Sequence, residues 1–68
     1  MSKELPFLIY CIEEYKQAKG LTGRAAINLF SKYDVLDYIH DSYEALHTTG
    51  SWYIVNDIDE YIQSRQTA

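Results

Sequence analysis

Apolar and polar positions alternate with a helical period over most of the chain. In residues 3–19, Leu5, Leu8, Ile12 and Tyr15 recur at spacings of three and four, and Ile9 and Cys11 widen that face. Pro6 falls in the first turn, where its missing N–H costs little. Lys16 and Lys19 close the segment, where cations suit the helix dipole, and Gly20 reads as the stop. Thr22 is a good N-cap for a second helix, whose face is Ala26, Leu29, Phe30 and Tyr33. Asp34 reads as the cap of a third helix over residues 34–46, with Asp37 adding negative charge to its first turn. Its apolar stripe is Leu36, Ile39, Tyr43 and Leu46.

Beyond residue 46 the period changes. The run His47-Thr48-Thr49-Gly50-Ser51 has the composition of a loop. Trp52, Tyr53, Ile54 and Val55 are aromatic and β-branched, so residues 52–55 read as a short extended arm. No second strand is evident to pair with it, which leaves an irregular packed arm or pairing with the same segment of another copy. Asn56 or Asp57 then caps a last helix, with Asp57 and Glu60 in capping-box positions and Ile58, Tyr61 and Ile62 on its apolar face. Residues 66–68 are expected to fray. The pattern predicts an all-α fold: one domain over residues 1–68, a small bundle of about four helices with one extended arm. Leu8, Ile12, Leu29, Phe30, Ile39 and Tyr43 are the expected core.

Composition narrows the functions. The 68 residues leave no room for a second domain, and 47% hydrophobic content argues against a disordered tail. One cysteine, Cys11, excludes an internal disulfide and any Cys₂His₂ or Cys₄ metal site, and a lone thiol fits a cytoplasmic chain. The longest apolar run, residues 7–12, is far short of a membrane span, and no signal-peptide pattern opens the sequence. The formal charge of −4 is uneven: from residue 34 onward seven acids face one cation, Arg65, for a net −6. That balance disfavours nucleic acid and anionic membranes as partners.

Four kinds of site compete with simple packing as the role of these residues. The helices at 22–33 and 34–46 have the outline of a helix-turn-helix, with residues 48–55 as a small wing. The helix that would enter the groove, however, carries Asp34, Asp37, Asp41 and Glu44 and no Lys or Arg. A metal site is disfavoured because His40 and His47 lie two turns apart, about 10 Å along a straight helix. His40 flanked by Asp37, Asp41 and Glu44 reads as a surface residue. Catalysis finds no support, since Cys11 is mid-helix among apolar neighbours and no nucleophile–base order or phosphate loop is present. A binding surface fares better. Ten aromatics exceed what so small a core can hold, and Tyr and Trp supply large contact area with a polar tip. The candidate partner-binding residues are Tyr38, His47, Thr48, Trp52, Tyr53, Asp37, Asp41 and Glu44.

The same residues carry a resemblance. Tyr10-Cys11-Ile12-Glu13-Glu14-Tyr15, Leu29-Phe30 with Tyr33, Val35 with Asp37-Tyr38-Ile39, Tyr43 followed by Leu46-His47-Thr48 and Gly50, and Tyr53-Ile54-Val55 with Asp57-Ile58-Asp59 and Tyr61-Ile62 run in order through the chain. Together they resemble a family of short bacterial proteins of unknown function. The resemblance implies a stand-alone helical domain. For some members it also implies proximity or fusion to ADP-ribosyltransferase-like toxin domains, hence an accessory or antitoxin-like role. The segment Leu46-His47-Thr48 with Gly50 is its foremost functional candidate, the alternative being that His47 and Thr48 bond the last carbonyls of the preceding helix. The sequence therefore predicts a non-catalytic protein-interaction module, cytoplasmic and without cofactor. Its partner is a protein or a second copy in a homodimer, not nucleic acid or membrane. A helix-turn-helix DNA-binding regulator is the alternative.

Overall fold

The computed structural model describes residues 4–66. It contains five helices among the described residues: α1 (Glu4–Lys19), α2 (Gly23–Lys32), α3 (Val35–Asp41), α4 (Tyr43–Leu46) and α5 (Ser51–Gln66). There is no strand among them, and no helix is long and apolar enough to cross a membrane. The expected helix start at Lys3 and the fraying of residues 67 and 68 lie outside the described residues. α1 packs against α2, α3 and α5, and α5 also rests on α3.

The punctuation of the first half follows its residues. Gly20 sits at φ 65°, the left-handed conformation that stops a helix cheaply only with glycine. Leu21 N–H reaches back to the Lys16 carbonyl at 2.9 Å and Gly20 N–H to that of Gln17 at 3.4 Å, a Schellman closure of α1. Thr22 then caps α2, its hydroxyl accepting from Ala25 N–H at 3.1 Å. Ala26 and Phe30 are sealed inside, with Leu29 and Tyr33 packed beside them.

Asp34 is not the side-chain cap its composition suggests. It adopts φ 55°, ψ 38° and its carboxylate makes no capping bond. This left-handed residue redirects the chain so that Val35, fully buried, faces inward with Ile39, while Leu36 from the expected stripe is left 37% exposed. The expected single helix over residues 34–46 is interrupted at Ser42. Ser42 N–H bonds the carbonyls of Tyr38 and Ile39, and its own carbonyl starts α4 by accepting from Ala45 and Leu46. Tyr43 beyond the break sets its ring edge-on against Phe7 of α1, at a centroid distance of 5.4 Å.

The extended arm over residues 52–55 does not exist. Residues 51–55 form the opening turns of α5, whose first bond runs from Ile54 N–H to the Gly50 carbonyl at 3.1 Å. Neither Asn56 nor Asp57 is a cap: Asn56 donates to the Trp52 carbonyl and Asp57 accepts from Tyr38. Burial explains the outcome. Helical geometry stacks Ile54, Ile58 and Ile62 on one face, exposed by 0, 0 and 4% respectively. An extended 52–55 would have withdrawn Ile54 from that stripe, so tertiary packing overrides the local β preference.

The core centres on Cys11, Tyr15, Phe30, Val35, Ile39, Ile54, Ile58 and Ile62. Of the residues expected there, Phe30 and Ile39 are fully buried; Leu8, Ile12, Leu29 and Tyr43 are half-buried around them. Leu5 and Ile9 belong to the outer side of α1, 56% and 54% exposed. The arrangement that positions the surface is thus an isoleucine spine on α5 packed against α1 and α3.

Candidate functional site: an aromatic ridge between two grooves

Two phenols fasten α5 to the rest of the bundle. Tyr15 OH on α1 donates to Asp59 Oδ1 at 2.6 Å, and Lys19 Nζ completes that carboxylate with a 2.7 Å bond to Oδ2. Tyr38 OH on α3 donates to Asp57 Oδ2 at 2.5 Å, while its ring stacks on Tyr61 with centroids 4.1 Å apart. Burial, and then the neighbouring carboxylate, holds each phenol in its neutral form: Tyr38 is pushed up to about 12, and Tyr15 is raised as well.

With its isoleucines inside and these two aspartates engaged, α5 turns a different set of side chains outward. Trp52 is 78% exposed and Tyr53 52% exposed. Trp52 forms a ridge between two depressions. One, about 520 Å³, runs between the C-terminal half of α1 and the start of α5, with Glu14, Ala18, Val55 and Asp59 in its walls. The other, about 230 Å³, is bounded by Trp52 and Tyr53 and by Asn56, Asp57 and Glu60. Trp52, Asn56 and Glu60 stand at i, i+4 and i+8, and Tyr53 and Asp57 at i and i+4, so two adjacent rows of one helix make the second cleft.

The expected site residues separate into groups. Trp52 and Tyr53 come together on the ridge. Tyr38 is half-buried and committed to Asp57 and Tyr61, so it supports the cleft from below. Asp37, Asp41 and Glu44 are exposed on α3 and α4, with Asp37 beside a shallow hollow that Phe30, Asp34 and Leu36 share. His47 and Thr48 are exposed after α4, where the structure gives His47 a local task. Its Nδ1 lies 2.7 Å from the Tyr43 carbonyl, which can only accept, so Nδ1 carries the proton; the ring stacks flat on Tyr43 at 4.5 Å. The companion hydroxyl is that of Thr49, bonded to the Leu46 carbonyl at 2.7 Å, rather than that of Thr48.

Sequence reasoning missed Asn56, Asp57 and Glu60 as members of this surface, and Glu14 and Asp59 across it. The i, i+4 spacing of Trp52, Asn56 and Glu60 was the available signal, hidden once residues 52–55 were read as extended.

Other chemistry finds less to build on. Cys11 is fully enclosed and burial pushes its thiol up to about 12, the wrong direction for a nucleophile. His40 pairs with Glu4 of α1. Among the described residues no three His, Cys, Asp or Glu side chains converge as a metal site would need. The wing expected at residues 48–55 is absent from the helix-turn-helix outline, being largely α5, and α3 is only seven residues long with Asp37 and Asp41 exposed.

Neither a curated protein nor a solved structure matches the chain. One family does, described as Protein of unknown function (DUF3791), and it spans residues 6–65. With nearly the whole helical bundle inside that match, the chain belongs to the DUF3791 family.

Proposed function

We propose that this protein is a non-catalytic interaction module that docks a protein partner on the Trp52 ridge. The observation that carries the reading is the 78% exposure of Trp52 on a helix whose opposite face is sealed. An indole left in water on a rigid helix is the kind of side chain that dominates binding energy at interface centres. Glu14 and Glu60 on either side give the surface a negative character, and a basic partner face would complement it. The family resemblance suggests the partner's kind: an ADP-ribosyltransferase-like toxin domain in a bacterial cytoplasm, with this chain as its accessory or antitoxin-like companion. A DNA-binding role is weaker, because α3 would bring Asp37 and Asp41 against phosphates.

Affinity purification from the native host, with the wild-type chain and Trp52→Ala side by side, tests the proposal. The wild type should retain a protein partner that the variant loses, with the variant's circular dichroism unchanged. Recovery of nucleic acid, or of no protein at low salt, would overturn it. Light scattering at micromolar concentration identifies a homodimer by twice the monomer mass, in which case the partner is a second copy.

A further inference from the structure

The smaller cleft specifies more than a generic contact. We infer that the space between the Trp52 and Tyr53 rings and the Asp57 and Glu60 carboxylates receives an arginine side chain of the partner, an assignment that rests on the docking role proposed above.

The first argument is size. At about 230 Å³ the cleft is below the usual range of roughly 300–1,000 Å³ for small-molecule sites, but it has room for one side chain. The second is the charge that the fold leaves uncompensated. The neighbouring Asp59 is neutralised by Lys19 at 2.7 Å. Asp57 receives only a neutral phenol, from Tyr38, and no cation is paired with Asp57 or Glu60 among the described residues. Lys16 is held by Glu13, and Arg65 lies over the Tyr61 ring. The cleft therefore presents two carboxylates with no internal counter-ion beside two aromatic rings that are more than half exposed.

That pairing of features selects a cation with a flat face. Aromatic rings attract cations over their π surfaces, and a guanidinium stacks there while its edge donates in a fork to a carboxylate. A lysine ammonium satisfies the charge but not the stacking. A neutral apolar side chain would fill the space but bury the Asp57 and Glu60 carboxylates without a counter-ion. Trp52 and Asn56 also border the larger groove, so a basic segment anchored here has a path toward Glu14.

The chain has one tryptophan, so emission excited at the red edge of the absorption band, where tyrosine does not absorb, reports on Trp52 alone. The probes are a hexa-arginine peptide and its isosteric hexa-citrulline counterpart, titrated at about 0.15 M salt, where exposed charges beyond about 8 Å are screened. Hexa-arginine should change the Trp52 emission saturably, and citrulline should not. Glu60→Gln should weaken hexa-arginine binding at least threefold, and Asp57→Asn similarly, whereas Glu44→Gln on α4 should leave it within error. Equal responses to both peptides, an unaltered Glu60→Gln, or an equal loss with Glu44→Gln would each overturn the assignment. If Asp57→Asn fails to fold, Glu60→Gln decides alone. Partner capture that is lost with Trp52→Ala but intact with Glu60→Gln would sink the arginine anchor and leave the docking role standing.

Discussion

Along α5, the side chains at 54, 58 and 62 are at most 4% exposed, whereas Trp52, two residues before the first of them, is 78% exposed. Both faces are built from large apolar or aromatic groups, so hydrophobicity alone does not separate them. Phase does. The isoleucines fall one helical turn apart and share a buried cluster with Cys11, Phe30 and Val35, while Trp52 and Tyr53 lie outside that cluster and are more than half exposed. One face answers to folding and the other is free to answer to a partner, so substitutions on the two should have opposite signatures.

The largest effect is expected from Ile58→Ala. Truncating a fully buried isoleucine removes transfer free energy and leaves a cavity, about 2–5 kcal/mol together. Against a total of about 3–10 kcal/mol for a domain of this length, that is enough to bring much of the chain to the edge of unfolding, as urea denaturation would register. Tyr38→Phe should follow, at about 1–3 kcal/mol, since it strips the half-buried Asp57 of its donor. The same phenol predicts a pH dependence. Tyr38 moves from an ordinary 10.0 to about 12 on folding, so above pH 10 the unfolded chain loses its proton first. Stability is then fully present below about pH 10 and falls as pH rises toward 12. Thermal melts across that window should show the decline, and Tyr38→Phe should lessen it. Cys11 sharpens the contrast: its enclosed thiol should resist alkylation in the native protein and react only through openings of the core, so Ile58→Ala should speed its alkylation and Trp52→Ala should not. The smallest stability change belongs to Trp52→Ala, within about 0.5 kcal/mol. A loss as large as that of Ile58→Ala would abolish the distinction between the faces.

Legibility in the sequence follows a similar divide. The first half announces itself because local signals and tertiary demands agree. Gly20 takes the positive φ that glycine tolerates, Thr22 bonds the amide a cap should bond, and Ala26 and Phe30 recur on the buried side. At residues 52–55 they disagree. Four bulky aromatic and β-branched residues favour an extended strand locally, yet Ile54 is needed in a stripe whose other members lie four and eight residues ahead. Asp34 disagrees in another way, since aspartate serves both as a cap and in left-handed turns, and only the direction of Val35 decides between them. Trp52 and Tyr53 were recognisable as surplus aromatics for so thin a core. Their neighbours Asn56, Asp57 and Glu60 were not, because their grouping depends on helical phase through residues that read as something else.

The two phenol–carboxylate bonds bear on how α5 is set about its own axis. Asp57 and Asp59 are two positions apart, about 200° around a helix, so they flank the isoleucine stripe on opposite sides. One is tied to α3 and the other to α1. An isoleucine face tolerates some rolling, because one branched methyl can replace another in the same hollow. A helix tethered on both flanks does not: rotation in either direction stretches one tether. The azimuth of the indole is therefore settled before any encounter, and a binder meets a surface whose orientational entropy has already been spent in folding.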